Sequence, residues 1–410
     1  MNLHANLNLP VATRKGALDR LQKFLPRAGR DYAANRNFDL GPSAHEHVSC
    51  LSPYLRTRLL SEAEVIQDVL AHHSRSSAEK FVQEVLWRTY WKGWLEMRPA
   101  VWGDYNHDLQ HVMNALQQDQ QRWQVYQNAI HAQTGIECFD AWTNELINTG
   151  YVHNHARMWF ASIWIFTLGL PWQLGAEFFL HHLLDGDPAS NTLGWRWVAG
   201  IQTKGKHYLA RASNIQKFTR GRFYPTGQLT EHAAPLQDSR AYSKQPYDAG
   251  DDLPDDNQRV GLLIDGEDLS PEISCLGSIT IHAIAGIPFQ AINQAQRFST
   301  RVEQFYEQAL GDALGRASVH WNAQTTIFEH DSLSHPLRQW VEENQLDCVV
   351  KIKNCAGPWR DQLRTLPQSL PAPVRLHQIR RRWDIHLHPF ATSGFFSFKK
   401  KIPAILAALV

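Results

Sequence analysis

The feature that most constrains the fold is a polar, acidic stretch at residues 237–258, because the spacing of apolar residues differs on its two sides. The stretch reads QDSRAYSKQPYDAGDDLPDDNQ, with two prolines, several acidic side chains and few apolar ones. A segment of this composition is typical of a linker between folded units. We therefore expect one domain at 1–236 and a second, smaller one at 259–410.

Before the linker, the sequence predicts helices. Apolar side chains recur every three to four residues over 77–97 and again over 137–149, where Gly150 ends the pattern. A third helix is predicted over 153–169. Pro171 stands where a first-turn proline belongs, which predicts a fourth helix running through Leu184. The predicted domain at 1–236 is therefore all-helical.

After the linker, strand-like and helix-like segments alternate. Strands are predicted at 260–264, 278–284, 319–327 and 348–352, and helices at 294–314 and 334–344. Such alternation is typical of a small α/β sheet domain. The predicted fold class is mostly α, with a smaller C-terminal α/β domain.

Composition excludes several classes of protein. Of 410 residues, 41 are Lys or Arg and 40 are Asp or Glu, so the net charge of +1 excludes a strongly basic nucleic-acid binder but not a local basic patch. The five cysteines are scattered without a CxxC pair, which argues against a disulfide framework, a zinc site or an iron–sulfur cluster. No metal is expected.

No segment of the sequence predicts a membrane protein. The longest apolar stretch, residues 158–170, is too short to cross a bilayer, and no signal peptide is recognisable at the N-terminus. We therefore expect a cytoplasmic protein without a membrane partner.

The densest group of polar side chains lies at 181–197, HHLLDGDPASNTLGWRW, where Asp185 and Asp187 bracket a glycine and Asn191 follows. By itself such a segment is most simply a turn after a helix, with an aspartate as the cap. It is preceded, in chain order, by SCLSPYL, QEVLWRTYW and TGYVHNHARMWFAS.

These four segments, in this order, resemble the flavin-binding domain of the DNA photolyase and cryptochrome family over roughly residues 12–225. The resemblance implies that FAD is the cofactor and that it is held in a helical cup. The family's usual α/β antenna domain is not recognisable ahead of the flavin domain, so a short form without it is expected. The C-terminal α/β domain is then either an antenna-like domain at the other end of the chain or an unrelated sheet domain.

The resemblance also implies which residues hold the cofactor. Tyr32, Ser49 and Ser52 would hold the phosphates and ribose, because hydroxyl and main-chain N–H groups at the start of a helix suit an anionic diphosphate. Arg88 would add charge on the same side. Arg157 would pair with Asp185 beside the isoalloxazine ring. Asp187 would bind the ring edge, and Asn191 would face flavin N5. The full set implied to contact FAD is Tyr32, Ser49, Ser52, Arg88, Asn154, Arg157, Asp185, Asp187 and Asn191.

Two further sets follow from the same resemblance. The residues implied at the substrate are Arg36, Glu84, Trp87 and Met158, of which Glu84 and Trp87, together with Asn191, are the expected catalytic residues. An aromatic face such as that of Trp87 can stack on a flipped base. The residues implied to carry electrons to the flavin are Trp195, then Trp172, and at the distal end Trp123, with Trp159, Trp164 and Trp197 as alternatives.

The sequence departs from the family at several positions. Cys50 and His155 stand where the family often has arginine. Residues 202–222 carry six basic side chains and no acidic one, which predicts either a rim that contacts DNA phosphates or a solvated basic loop. Residues 380–384 and 396–401 mix basic and aromatic side chains and present the same two alternatives.

The sequence therefore predicts light-driven repair of UV-induced pyrimidine dimers in DNA by electron transfer from reduced FAD, the activity of a deoxyribodipyrimidine photolyase, which is a lyase. UV-damaged DNA, single- or double-stranded, would be the partner of a monomeric protein. The alternative is a cryptochrome-like photosensor that signals through a partner without repair. A third interpretation is a flavoprotein without photochemistry.

Overall fold

In a computed structural model, which describes residues 10–329 and 333–408, the part of the chain before the predicted linker is helical. The outermost residues of the two predicted domains, 1–9 and 409–410, lie outside the described residues, as do 330–332. The helices of this region are α1 (Arg14–Phe24), α2 (Arg30–Asn35), α3 (Ser52–Arg56), α4 (Glu62–His72), α5 (Arg75–Glu96), α6 (Ala100–Gln117), α7 (Gln120–Ile130), α8 (Glu137–Thr149), α9 (Asn154–Ser162), α10 (Trp172–His182), α11 (Pro188–Val198) and α12 (Ala212–Phe218).

Local sequence signals account for where these helices begin and end. The hydroxyl of Ser61 caps α4 in a capping box with Glu64. Gly150 ends α8 in the left-handed conformation, with φ of 69°. The segment predicted as one helix over 153–169 is α9 followed by a π-helical turn at Ile163–Thr167. The four predicted helices of this region are therefore present, with this change in the third.

After the extended segment that contains the predicted linker, the chain forms a five-stranded parallel sheet with the strand order β3-β2-β1-β4-β5. The strands are β1 (Val260–Ile264), β2 (Ala283–Gly286), β3 (Gln324–Ile327), β4 (Cys348–Ile352) and β5 (Arg375–Ile379). The helices of this region are α13 (Gln290–Asn293), α14 (Thr300–Trp321), α15 (Ser334–Glu343), α16 (Pro358–Leu363), α17 (Arg382–Leu387), α18 (Phe395–Lys399) and α19 (Ile402–Ala408). The predicted α/β architecture is confirmed.

Three boundaries in this region differ from the prediction. The helix predicted over 294–314 begins only after Ser299, whose hydroxyl caps α14, and it continues through Trp321. The predicted strand over 319–327 is therefore wrong over its first half, since Asn322 ends the helix in a left-handed conformation before β3 starts. The strand predicted at 278–284 is formed later, as β2, and β5 was not predicted.

The two regions meet at the carboxyl ends of β1 and β4. In an open parallel sheet, ligands usually bind in the crevice where the strand order reverses, which here lies between these two strands. In this protein, side chains of the helical region fill that crevice, because Arg56 and Lys92 reach Glu267 just after β1. On the β4 side, Gly357 packs closely against Pro188, the first residue of α11.

The chain after β5 packs back onto α5. Arg380 forms an ion pair with Glu96, and Arg381 donates two hydrogen bonds of 2.6 Å to Asp268. Both arginines are buried. The two alternatives predicted for residues 380–384, a DNA contact or a solvated basic face, are therefore both wrong for these arginines, which join the two regions instead.

No helix within residues 10–329 and 333–408 is long and apolar enough to cross a membrane. Over the same residues, no group of three or more His, Cys, Asp or Glu side chains is placed to hold a metal ion, and the five cysteines are free.

Candidate flavin and substrate site

The centre of the candidate site is an ion pair between Arg157 on α9 and Asp185, just before α11. The Arg157 Nη2 donates to Asp185 Oδ2 at 2.9 Å, and its Nε donates to the carbonyl of Val152 at 2.8 Å. Burial opposes the charge on Arg157, but the adjacent Asp185 outweighs it and raises the pKa of the guanidinium. The structure therefore contains the pairing that the resemblance implies, and its place beside the isoalloxazine ring stays a prediction.

Asp187 caps α11 and lies within a second group of charges. Its Oδ1 accepts a hydrogen bond from the backbone N–H of Ser190 at 2.8 Å. Its Oδ2 is 3.6 Å from the Nζ of Lys92 and 3.8 Å from the Nη2 of Arg88, both on α5. Burial alone would raise the pKa of Asp187, but Lys92, Arg88 and Arg56 together hold it well below its usual range. Asp187 is therefore ionised and buried.

The ion pairs of Asp185 and Asp187 with Arg157, Lys92 and Arg88 form the floor of the site. Two carboxylate oxygens at this floor have no hydrogen-bond partner among the described residues. They are Oδ1 of Asp185 and Oδ2 of Asp187, and both side chains are buried. A buried polar atom without a partner costs free energy, so such an atom usually marks the place of a ligand or an ordered water. Each of these oxygens can accept a hydrogen bond from a ligand N–H group or from ordered water.

The other residues implied at the cofactor surround this floor. Asn191 lies on α11, which packs against both α5 and α9, and its amide nitrogen donates to the carbonyl of Ala176 at 2.7 Å. Arg88 forms an ion pair with Glu62, so its charge lies beside Asp187. Asn154, the first residue of α9, is exposed. Arg88, which the resemblance implies on the diphosphate side, therefore lies beside Asp187 instead, and the roles of Asn154 and Asn191 stay predictions.

The residues implied at the diphosphate lie on the α1 side. Ser52 begins α3, and the Ser49 hydroxyl accepts from the backbone N–H of Leu51 at 3.3 Å. The Tyr32 ring packs between Phe24 and Phe81, and burial raises its pKa. Their roles at the diphosphate stay predictions.

Sequence reasoning missed a cavity of about 420 Å³ beside Ser49. Its wall includes Cys50 and Tyr151, and the guanidinium of Arg157 lies 5.3 Å from the Tyr151 ring, so the cavity borders the central ion pair. The α1 side contributes three basic side chains, Arg20, Lys23 and Arg27. Their spacing of three and four residues was the available signal for a basic surface next to an anionic ligand.

At the mouth of the site, α5 presents Glu84 and Trp87 one turn apart. Arg36 lies 3.9 Å from Glu84, so the implied substrate arginine and carboxylate face each other. The ring of Trp87, however, stacks on Phe395 of α18, with centroids 3.5 Å apart and planes 11° apart. The expectation of a free stacking face on Trp87 is therefore wrong for the face that Phe395 covers, and the role of Trp87 at the substrate stays a prediction. Met158 is half-buried on α9.

The basic segment 202–222 borders the same mouth. Its six basic side chains, Lys204, Lys206, Arg211, Lys217, Arg220 and Arg222, are exposed. Phe218 of α12 packs on Phe38, two residues after Arg36. His155 also reaches this segment, with its ring centroid 5.0 Å from that of Phe218, and its Nδ1 lies 3.0 Å from the carbonyl oxygen of Asn37. The segment is therefore an exposed basic rim next to the substrate-side arginine.

Comparison with known proteins identifies the family of this site. A family model described as the FAD binding domain of DNA photolyase matches residues 81–240. Over these residues the chain is similar to the flavin-binding domain of the DNA photolyase and cryptochrome family. Since the matched domain binds FAD, the cofactor of the site is FAD. Its flavin ring carries an N–H group, and an unpartnered carboxylate oxygen such as Asp185 Oδ1 can accept a hydrogen bond from it.

Curated photolyases give the extent of the likeness. The chain is 36% identical to the deoxyribodipyrimidine photo-lyase of Streptomyces griseus over 39% of this chain and 34% of that protein. It is 32% identical to that of Synechococcus over 49% of this chain and 42% of the relative. The chain thus spans well under two thirds of the length of these photolyases. Among solved structures, it is similar to a class III photolyase from Agrobacterium tumefaciens, with a TM-score of 0.42 and 27% identity over 50% of this chain and 42% of that one.

The tryptophans implied in photolyase electron transfer fall into two groups. The ring centroids of Trp195 and Trp164 are 6.2 Å apart. The Trp164 centroid lies 6.0 Å from that of Tyr126, and the Tyr126 centroid lies 5.5 Å from that of Trp123. This row connects the proposed innermost and distal residues through an alternative tryptophan. Trp172 instead lies 5.6 Å from Tyr105 and 5.9 Å from the guanidinium of Arg196.

Trp159 and Trp197, the remaining alternatives, lie outside this row. Trp159 stacks on Trp142 and Trp197 on Tyr208, with ring centroids 5.5 and 6.0 Å apart. The structure therefore places Trp164, of the three alternatives, beside Trp195.

Proposed function

We propose that this protein is a DNA photolyase, which splits UV-induced pyrimidine dimers in DNA under blue or near-UV light. The observation that carries the proposal is that one helix connects the two parts of the site. On α5, Arg88 and Lys92 face Asp187 at the floor, while Glu84 and Trp87 lie at the mouth. A cofactor at the floor and a base at the mouth would therefore be neighbours.

When bound, reduced FAD supplies the electron donor that absorbs light. The chain's own residues hold and orient the reactants. Arg157 and Asp185 fix each other, with the Asp185 side chain buried and the Arg157 side chain 21% exposed. In its protonated form, Glu84 can donate a hydrogen bond to a pyrimidine carbonyl, and this bond strengthens as negative charge develops on the base.

Stacking of a base on the face of Trp87 that Phe395 covers requires a local rearrangement. A base can occupy that face only after the segment around α18 moves away. That segment is held by the hydrogen bond from the Tyr90 hydroxyl to the carbonyl of Ser393, at 2.7 Å, and by Lys399, 3.1 Å from Glu79. We infer that damaged DNA competes with Phe395 for Trp87.

The test is a repair assay with oligonucleotides that carry a single thymine dimer, in single- and double-stranded form. Purified protein with FAD and a reductant is illuminated with blue light, and restored thymines are counted against a dark control. We expect repair in the light and tighter binding of damaged than of undamaged strands. Equal affinity for both and no restored thymines would refute the proposal.

The contact between Trp87 and Phe395 favours one alternative function, a cryptochrome-like photosensor. A sensor has no need of an open base-binding face, and a C-terminal segment packed beside the flavin site is placed to change its contacts with light. In that case illumination would alter protease cleavage around residues 391–401, and damaged DNA would have no effect on it.

A further inference from the structure

Glu267 belongs to the α/β region but forms part of the floor of the flavin site. It follows β1 and is buried. Its Oε1 accepts a hydrogen bond from the Nζ of Lys92 at 2.6 Å, and its Oε2 accepts one from Arg56 at 3.0 Å. Burial alone would raise the pKa of Glu267, but these two cations lower it to about 2. Glu267 is therefore a buried carboxylate held by the other region.

The two cations that Glu267 holds also face the loop that carries the cofactor carboxylates. The Nζ of Lys92 lies 3.6 Å from Oδ2 of Asp187. The Nε of Arg56 donates to the carbonyl of Gly186, between Asp185 and Asp187, at 3.1 Å. Removing Glu267 would leave both cations in place but change the charge that they present to Asp187.

The charges closest to Asp187 balance in this structure. The cations are Arg56, Arg88 and Lys92, and the carboxylates that pair with them are Asp187, Glu62 and Glu267. Loss of Glu267 would leave one uncompensated positive charge at a buried site, where charges interact more strongly than in water. A positive charge stabilises the electron-richer state of a nearby redox group.

We propose that Glu267 is a positioning residue of the flavin site, through which the α/β region sets the charge at Asp187 and so the midpoint potential and affinity of bound FAD. The inference rests on the proposed function, since it takes Asp187 to lie at the flavin edge. It gives the α/β region a role other than ligand binding at its strand crevice, which Arg56 and Lys92 fill.

The experiment measures the FAD midpoint potential and the FAD dissociation constant in four proteins besides the wild type. Glu267→Gln removes the carboxylate, and Lys92→Met removes a cation. The double variant Lys92→Met/Glu267→Gln removes one charge of each sign. The matched control is Glu96→Gln, since Glu96 is also buried in ion pairs across the interface, with Arg380 and Arg360, but does not contact Lys92 or Asp187.

We expect Glu267→Gln to raise the midpoint potential and Lys92→Met to lower it. The double variant is expected to return close to the wild-type value, and Glu96→Gln to lower the melting temperature without a shift in potential. If Glu267→Gln does not fold, the other two variants still test the proposal. Lys92→Met should lower the midpoint potential, and the double variant should return it close to the wild-type value. Shifts of the same sign in Glu267→Gln and Lys92→Met, no shift in either, or an equal shift in Glu96→Gln would overturn the proposal. Failure of the wild type to bind FAD would instead refute the proposed function.

Discussion

The floor and the mouth of the site are built in opposite ways. At the floor, the buried carboxylates of Asp185 and Asp187 face the cations of Arg157 and Lys92, and Oδ1 of Asp185 has no hydrogen-bond partner among the described residues. At the mouth, Glu84 is exposed, and one face of Trp87 is covered by the protein's own Phe395. The floor is therefore held by ion pairs, whereas stacking of a base on that face of Trp87 would exchange one contact for another. Cofactor binding and the choice between repair and sensing should accordingly respond to different substitutions.

The largest expected effect is at the floor, from Arg157→Met. The substitution leaves Asp185 buried without its cation, and breaking a buried pair in this way typically costs about 3–5 kcal/mol of folding free energy. We expect FAD binding to be lost or strongly weakened in a fluorescence titration, and the free energy of unfolding to fall in urea. The control is Arg157→Met/Asp185→Asn, which removes the buried charge and should regain stability without regaining FAD affinity. Unchanged FAD affinity in Arg157→Met would show that this pair is not at the flavin.

The next effect concerns electron supply to the floor. Trp195→Phe keeps an aromatic ring but makes it harder to oxidise, so most of the photoreduction of FAD by an external reductant should be lost. When a tryptophan gives up an electron, its ring becomes positively charged. Arg196 lies near the Trp172 ring and opposes such a charge there. The Nε1 of Trp164 instead donates to the carbonyl of Pro171 at 2.9 Å. We therefore expect Trp164→Phe to slow photoreduction more than Trp172→Phe. The reverse order would restore the route through Trp172, and a normal rate in Trp195→Phe would refute both routes.

A smaller effect separates the two functions at the mouth. Trp87→Ala should weaken binding of a dimer-containing oligonucleotide by about 1–3 kcal/mol, the usual worth of one base stacked on an aromatic ring. Phe395→Leu, which removes the competing ring but keeps an apolar side chain, should strengthen the same binding in a fluorescence anisotropy titration. FAD content is the control, because neither residue lies at the floor. If neither variant changes the affinity for damaged DNA, the mouth does not bind a base and the sensor interpretation gains support.

The parts that could be predicted from sequence are those set by local spacing or by motifs in fixed order. Gly150 ends α8 as its residue type predicts, and Arg157 and Asp185 form the pair that the motifs imply. Contacts between residues far apart in the chain could not be predicted in this way. Glu96 and Arg380 are 284 residues apart, and no periodicity of either segment indicates that they pair.

The same reason explains the two errors that matter most for function. Residues 380–384 have the composition of a basic surface, but docking on α5 buries Arg380 and Arg381. Trp87 has the position of a base-stacking residue, but Phe395 reaches it from more than three hundred residues away. A motif indicates which side chains a site contains, and only the tertiary fold shows what already covers them.

The smallest expected effect is a pH dependence at the floor, carried by His153. This side chain is buried and caps α9, with its Nδ1 accepting from the backbone N–H of His155 at 3.2 Å. Burial lowers its pKa to about 3, whereas an unfolded histidine titrates near about 6.5. The folded protein therefore keeps His153 neutral, and its stability is fully present above the unfolded pKa. As the pH falls from there towards the folded pKa, the unfolded state binds a proton that the folded state does not.

Stability should therefore decrease on acidification, by up to about 1.4 kcal/mol per pH unit for this one group. The measurement is the free energy of urea unfolding at pH 7.5 and pH 5.5. His182 and His388 have pKa values lowered by burial in the same direction, to about 3 and about 4, so the wild-type slope alone does not isolate His153. His153→Asn keeps a capping acceptor but does not titrate. Unfolding of this variant should therefore take up one proton fewer on acidification, so its unfolding free energy should depend less steeply on pH than that of the wild type. Equal slopes for the variant and the wild type would mean that His153 does not titrate differently in the two states.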